Sequence, residues 1–267
     1  MGAPWLVEPG SKLELGKIDT AGTDGAPGRR SDTEAAVTPL LEQLSGLQER
    51  LWAEHRQSLL VVLQALDTGG KDGTIRHVFS GVNPQGMRVV SFKVPTQEDL
   101  DHDFLWRIHR AAPAAGEIGV FNRSHYEDVG IVRVHSLVPK KVWRQRYDLI
   151  NSFEKQLAHR STVIVKFFLH ISKDEQAKRL KARLADPEKR WKFNRGDLDE
   201  RALWDGYQAA YQEAIRKTST ATAPWYVIPA DHKWYRNWAV ATVIVATLNK
   251  MDPRVPEPED LEHVEIV

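Results

Sequence analysis

Four strings in this 267-residue chain gather the residue types that phosphoryl chemistry needs. The first is Asp67-Thr68-Gly69-Gly70-Lys71-Asp72-Gly73-Thr74. Gly69, Gly70 and Gly73 let backbone N–H groups turn inward on a phosphate. Lys71 adds a point charge, and a helix starting here presents its positive end. The string departs from the usual Walker A pattern, which needs glycine where Ala65 sits and serine or threonine where Asp72 sits. Taken alone, the octamer also reads as a glycine turn with a helix-capping aspartate.

The second string is Phe121-Asn122-Arg123-Ser124-His125-Tyr126-Glu127-Asp128. It follows a strand, where a P-loop kinase carries the acid that holds Mg²⁺. Here the strand-end residue is Asn122, a neutral and much poorer ligand for that hard cation. The carboxylates of Asp67 and Glu127 are then the natural metal ligands. Arg123 can hold phosphate in a bidentate fork. Ser124 and Glu127 also fit a helix N-cap with its N3 acid, and the two readings are compatible.

The third string runs from Arg183 through Asp186-Pro187-Glu188-Lys189 to Trp191-Lys192-Phe193-Asn194-Arg195-Gly196-Asp197. So many cations with so little apolar content suit a mobile flap pinned by Trp191 and Phe193. Closing over phosphates, such a flap supplies Arg and Lys to the transferring group and expels water. A plain surface loop between helices is the alternative. The fourth string is Pro229-Ala230-Asp231-His232-Lys233-Trp234-Tyr235-Arg236, in which Asp231 and Lys233 follow a strand and can touch a ligand. Trp234 and Trp238 sit at i, i+4 and read as helix packing. His125 and His135 read as structural, and no Ser–His–Asp arrangement or His-rich metal site is visible.

Ligands of an open α/β sheet bind at the carboxyl ends of its strands, so these strings need strands directly before them. Leu59 to Leu63 is a short continuous apolar run of the kind buried on both faces of a parallel sheet. Further strands are expected over Arg88–Val94, Gly116–Phe121, Thr162–Ile171 and Trp225–Ile228. Helices are expected over 36–56, 70–82, 97–111, 140–159, from Ser172 to about 185, over 199–217 and over Lys233–Asn249. Thr96 with Asp99, and Ser172 with Glu175, are capping boxes at two of these starts. Residues 1–35, rich in Gly, Pro, Asp and Thr, read as an N-terminal arm, and 36–267 as one kinase-like domain with a lid at about 183–200. The alternation predicts an α/β three-layer sandwich around a central parallel sheet.

Composition narrows the classes. There are no cysteines, which excludes disulfides and Cys-ligated zinc. Net charge is only +1, so the whole-molecule field says little, but cations crowd residues 178–195. The run Trp238–Leu248 is too short to span a bilayer, and no basic stretch followed by an apolar segment opens the chain. The cytoplasm is the expected compartment, with no membrane or nucleic-acid partner.

Together the four strings resemble those of the polyphosphate kinase 2 family of polyphosphate:nucleotide phosphotransferases. The similarity runs from about residue 5 to 250 in the right order and spacing. It implies a thymidylate-kinase-like P-loop core with a lid, dependence on Mg²⁺ (or Mn²⁺), inorganic polyphosphate as donor, and assembly as a dimer or tetramer. By position it implies Asp67, Lys71 and Asp72 as the working Walker A residues and Asn122 and Arg123 as the Walker B ones. Arg183, Lys192 and Asp197 fall on its lid pattern, and Lys233 on the basic residue after the last strand. The Phe-Asn-Arg-Ser-His-Tyr-Glu version is similar to that of the class phosphorylating both AMP and ADP, with Glu127 as the distinguishing acid. The family usually carries proline where this chain has Arg195, which bears on lid stiffness and on the placing of Asp197.

Such a site must bring one polyanion against another. Lys71, Arg123, Arg183 and Lys192 with the metal form the clamp that neutralises both. An ATP-dependent kinase on the same fold is the first rival, and a non-catalytic polyanion- or RNA-binding protein the second. The absence of a hydroxyl at position 72 weighs against the first, and the lack of any RNA-recognition signature against the second.

Overall fold

The computed structural model describes residues 3–258. Its six-stranded sheet contains β1 (Leu6–Val7), β2 (Ser58–Ala65), β3 (Met87–Ser91), β4 (Ile118–Asn122), β5 (Thr162–His170) and β6 (Trp225–Pro229), in the spatial order β1-β6-β5-β2-β4-β3. Strands β3, β4, β2, β5 and β6 run parallel, while β1 adds to β6 antiparallel, with Leu6 opposite Tyr226. The expected sheet is therefore parallel except at one edge. Every residue of β2 is buried, as a central strand covered on both faces requires.

The major helices are α1 (Arg30–Glu54), α2 (Lys71–Val78), α3 (Gln97–Leu100), α4 (Trp106–Ala111), α5 (Ile131–Val134), α6 (Lys140–His159), α7 (Lys173–Ala185), α8 (Gly196–Ala202), α9 (Trp204–Thr218) and α10 (Lys233–Met251). Helices α1, α2 and α10 pack as one group, and α5, α6 and α9 as another. The register of β2 sets Leu63 beside Asn122 and Ala65 beside Leu169, so the carboxyl ends of the central strands share one edge. The phosphate loop and the Asn122–Asp128 segment leave the sheet there.

Three expectations change. The 97–111 helix is two pieces, because the Asp103 carboxylate accepts the Leu105 N–H at 2.9 Å and restarts the chain at Trp106. The chain between the helix expected to end near 185 and the one expected from 199 holds a 3₁₀ turn at Arg190–Lys192, and the second helix is two, α8 from Gly196 and α9, set off at Leu203. Residues 1–35 contribute Trp5, Val7 and Leu15 to the core, and α1 begins within this stretch, at Arg30. Trp5 Nε1 donates to the Tyr235 hydroxyl at 2.8 Å, tying this segment to the first turn of α10. A local reading of turn-rich composition carries no information about a partner 230 residues away.

Candidate active site

The phosphate loop owes its shape to crowding. Thr68 has φ +60 and Gly70 φ +103, both left-handed. A Cβ on Gly69 would lie 2.5 Å from the Ala65 Cβ, and one on Gly70 would lie 1.9 Å from Arg236 Nη1. At φ +103 the second position favours glycine, and a side chain there would also have to displace the Arg236 guanidinium. Lys71 folds back into the loop, its Nζ donating to the Ala65 carbonyl at 2.9 Å. Burial, with Arg123 beside it, lowers the Lys71 ammonium to about 8, against the pull of Asp67, Glu127 and Asp72.

Asp72 and Asn122, the two departures from the usual phosphate-loop pattern, meet: Asn122 Nδ2 donates to Asp72 Oδ1 at 2.8 Å. Arg123, at φ +63, spans Asp67 (Nη2 to Oδ1, 3.0 Å) and Glu127 (Nη1 to Oε2, 3.3 Å). The Glu127 carboxylate, and then that of Asp67, hold the Arg123 proton more tightly than usual despite burial. Arg183 at the end of α7 pairs with Asp197 at 3.3 Å, and Lys192 Nζ lies 3.8 Å from Asp72. Burial and the charge of Asp67 raise the Asp197 carboxyl, so Asp197 feels the phosphate-loop acid. Arg195 takes φ −59, an angle close to that which proline would fix, and Asp197 is held at the start of α8 without it.

A cleft of about 740 Å³ gathers Asp67, Gly69, Gly70, Lys71, Asp72, Gly73, Asn122, Arg123, Arg183, Lys192 and Lys233. Five expected residues are placed differently. Thr74 is buried and its hydroxyl returns to the Gly70 carbonyl at 3.1 Å, so it braces the loop from behind instead of facing a ligand. Asp197 stands beside the cleft, turned towards Arg183. Glu127 is drawn by Arg123 into a small cavity with Trp204, Tyr207 and Tyr211 instead of the main cleft. Asp231 is used structurally, its carboxylate accepting from Ser172 N (2.8 Å) and Thr20 Oγ1 (2.8 Å). Trp191, expected as a pin, is 77% exposed, with the Lys192 ammonium 5.1 Å from its ring centre.

Two arginines given no role from the sequence, Arg179 in the basic stretch and Arg236 in the fourth string, join the site. Arg179 donates to the carbonyls of Thr68 (3.0 Å), Ala230 (2.5 Å) and Asp231 (3.1 Å), binding α7 to the loops that follow β2 and β6. Its Glu175 partner at i−4 makes it look like an ordinary surface pair. Arg236 is buried beneath Gly70 and carries no acid at i±3 or i±4, a signal that was there to be seen.

No cluster of three His, Cys, Asp or Glu side chains that could hold a metal occurs among the described residues. A hard cation that keeps waters and borrows phosphate oxygens needs only one or two protein carboxylates, and Asp67 and Asp72 present these in the cleft. The donor set fits a metal that arrives with phosphates. It does not fit a dedicated protein cage. No described helix is long and apolar enough to cross a membrane.

The geometry has counterparts in known proteins. The chain is 55% identical to the AMP/ADP-polyphosphate phosphotransferase of Meiothermus ruber, over 96% of each chain. It is 44% identical to the ADP-polyphosphate phosphotransferase of Rhodopseudomonas palustris, over 98% of this chain and 94% of that one. The crystal structure of polyphosphate kinase 2 from Arthrobacter aurescens superposes with a TM-score of 0.93 at 46% identity, covering 96% of this chain and 91% of that one. The family description "Polyphosphate kinase 2 (PPK2)" matches residues 28–256. With the phosphate loop, the Asn122–Arg123 corner and the basic helix α7 around one cleft, this chain belongs to the polyphosphate kinase 2 family.

Proposed function

We propose that the chain transfers the terminal phosphoryl group of inorganic polyphosphate to AMP and ADP, giving ADP and ATP. The observation that carries this reading is the convergence of Lys71, Arg123, Arg183, Lys192 and Lys233 on one cleft beside the phosphate loop. Two polyanions repel until cations neutralise both, and a cleft walled by fixed cations supplies that neutralisation before they meet. In this reading the kinase domain takes in Trp5, Val7 and Leu15 of the N-terminal segment, and a lid at about 183–200 closes over the phosphates.

The acceptor phosphate has its second pKa near ~6 and is already largely the nucleophilic dianion at neutral pH. A strong general base is unnecessary. Asp67 fixes Arg123 against the acceptor, and Asp72 with Asn122 sets the near edge of the donor site. Lys71 and Arg183 meet the charge that builds on the transferring group's oxygens. Mg²⁺, held through Asp67 and Asp72 with substrate phosphates completing its shell, would neutralise phosphate charge and align the two substrates. Glu127 acts through Arg123, placing its fork for AMP as well as ADP.

The test is to mix protein, Mg²⁺, polyphosphate and AMP without ATP and separate the nucleotides by anion-exchange chromatography. ADP followed by ATP is expected. No product from AMP or ADP refutes the reading, and product with ATP as sole effective donor favours an ATP-dependent kinase.

A further inference from the structure

The cations of the cleft fall into two groups. Arg123 is paired with Asp67 and Glu127, Arg179 with Glu175, Arg183 with Asp197, Lys189 with Asp186 and Lys192 with Asp72. Arg76, Lys93 and Lys233, which are exposed, and Lys71 and Arg236, which are buried, have no acid within ion-pair distance among the described residues. Lys233 and Arg236 both stand on the first turn of α10. Arg236 is the extreme case. It is 3% exposed, and its guanidinium donates only to the side-chain oxygen of its neighbour Asn237, from Nε at 3.2 Å and Nη2 at 2.8 Å. Nη1 lies so close under Gly70 that a Cβ there would be 1.9 Å away, and Nη2 is 3.5 Å from where a Gly73 Cβ would be.

A buried guanidinium without a counter-ion is destabilising, because its lost hydration is not repaid by any fixed charge. Burial, and Arg179 nearby, depress Arg236 to about 9. Every other buried or half-buried arginine of the cleft has its acid. The missing anion must come from outside, and the opening beside Arg236 is the cleft itself. Its planar fork suits a phosphate's paired oxygens.

We propose that Arg236, assisted by Lys233, is the subsite for the phosphate that follows the transferred one in a linear polyphosphate donor. The donor chain then runs from Lys71 past Gly70 towards the first turn of α10, while the paired cations Arg123 and Arg183 attend the transferring group and the acceptor. The proposal rests on the polyphosphate reading above. It adds a direction for the donor and a residue that discriminates donor from acceptor.

The experiment compares wild type with R236M and R236K, by melting curves with and without tripolyphosphate and by separate Michaelis curves for polyphosphate and for AMP. Without ligand, R236M is expected to melt no lower than wild type, since it removes an uncompensated charge. Tripolyphosphate should raise the wild-type melting temperature and move that of R236M far less. Donor KM should rise about tenfold or more while AMP KM stays within about threefold, the loss of one charged hydrogen-bonding partner to one substrate. R236K, which keeps the charge without the fork, should show the same donor-selective rise, smaller in size, and it carries the test if R236M does not fold. An undiminished tripolyphosphate shift in R236M, or equal rises in both KM values in either variant, overturns the subsite. A wild type that neither binds tripolyphosphate nor uses polyphosphate overturns the function beneath it, a distinct result.

Discussion

Asn122 donates to Asp72 across the mouth of the phosphate loop, 2.8 Å from Nδ2 to Oδ1. The residue that is not an acid at the end of β4 thus faces the residue that is not a hydroxyl at the start of α2. An ordinary phosphate-loop kinase keeps the acid on the strand and the hydroxyl on the loop. Here the acid has moved to the loop, and an amide, which can donate, takes the strand end. Two aspartates at this distance would repel.

That exchange predicts the behaviour of a charge swap. N122D sets two carboxylates against each other and should lower kcat/KM for AMP about tenfold. D72N/N122D returns one acid and one amide to the pair and should recover part of the loss. The measurement is a double-mutant cycle on kcat/KM. Strict additivity of the two single losses would show that the contact has no functional consequence.

The arginine between Asp67 and Glu127 predicts a failure of conservative replacement. Lysine offers a point charge and cannot span both carboxylates as the Arg123 fork does. R123K should lower kcat/KM for AMP by about a hundredfold while the melting temperature changes little. Activity within a few-fold of wild type would remove Arg123 from the proposed acceptor clamp.

Lys71 predicts a pH dependence with a definite sign. Its ammonium is held at about 8 by burial and by Arg123, against ~10.4 in an unfolded chain. Below pH ~8 both states carry the charge, and the folded state bears the full burial penalty. Between about 8 and ~10.4 the unfolded chain still binds the proton that the folded chain has lost, so folding gains stability as pH rises. K71M lacks this group. Its stability relative to wild type should therefore decline from pH 7 to pH 10 in urea titrations, and a constant difference would contradict the buried cation.

Beneath the Asn122–Asp128 segment lies an ion pair sealed from water. Lys166 Nζ reaches Glu154 at 2.6 Å, the Tyr126 hydroxyl at 2.9 Å and the Thr218 carbonyl at 2.7 Å, and Tyr126 also donates to Glu154 at 2.8 Å. Removing one charge leaves the other buried and unpaired, so K166M should cost about 3–5 kcal/mol of stability by urea unfolding. K166M/E154L should be far closer to wild type. A K166M loss below ~1 kcal/mol would mean that the site admits water.

How much of this was legible in the chain depends on range. Leu59–Leu63 and its following glycines announce a strand and phosphate loop because each signal is local, and the capping residues Thr96 and Ser172 mark helix starts for the same reason. Lys71, Asp72, Asn122 and Arg183, which line one cleft, each stand after a strand or in a basic stretch, and both settings are local. The role of Arg179 is not legible, since its partners are loop carbonyls 51 to 111 residues away, and nothing in a helical sequence marks a side chain that bonds backbone. Thr74 was misplaced because sequence does not tell a hydroxyl facing a ligand from one returning to its own helix. The short β1 escaped for the reason that a two-residue strand has no period to read.

The most direct test of the whole account is a ³¹P NMR time course on wild-type protein with Mg²⁺, AMP and linear polyphosphate, without ATP. Phosphoryl units are expected to leave the polyphosphate and appear first as the β-phosphate of ADP and then as the γ-phosphate of ATP, with phosphorus balanced and little free orthophosphate. Polyphosphate that stays intact, or that is lost only to orthophosphate, would contradict it.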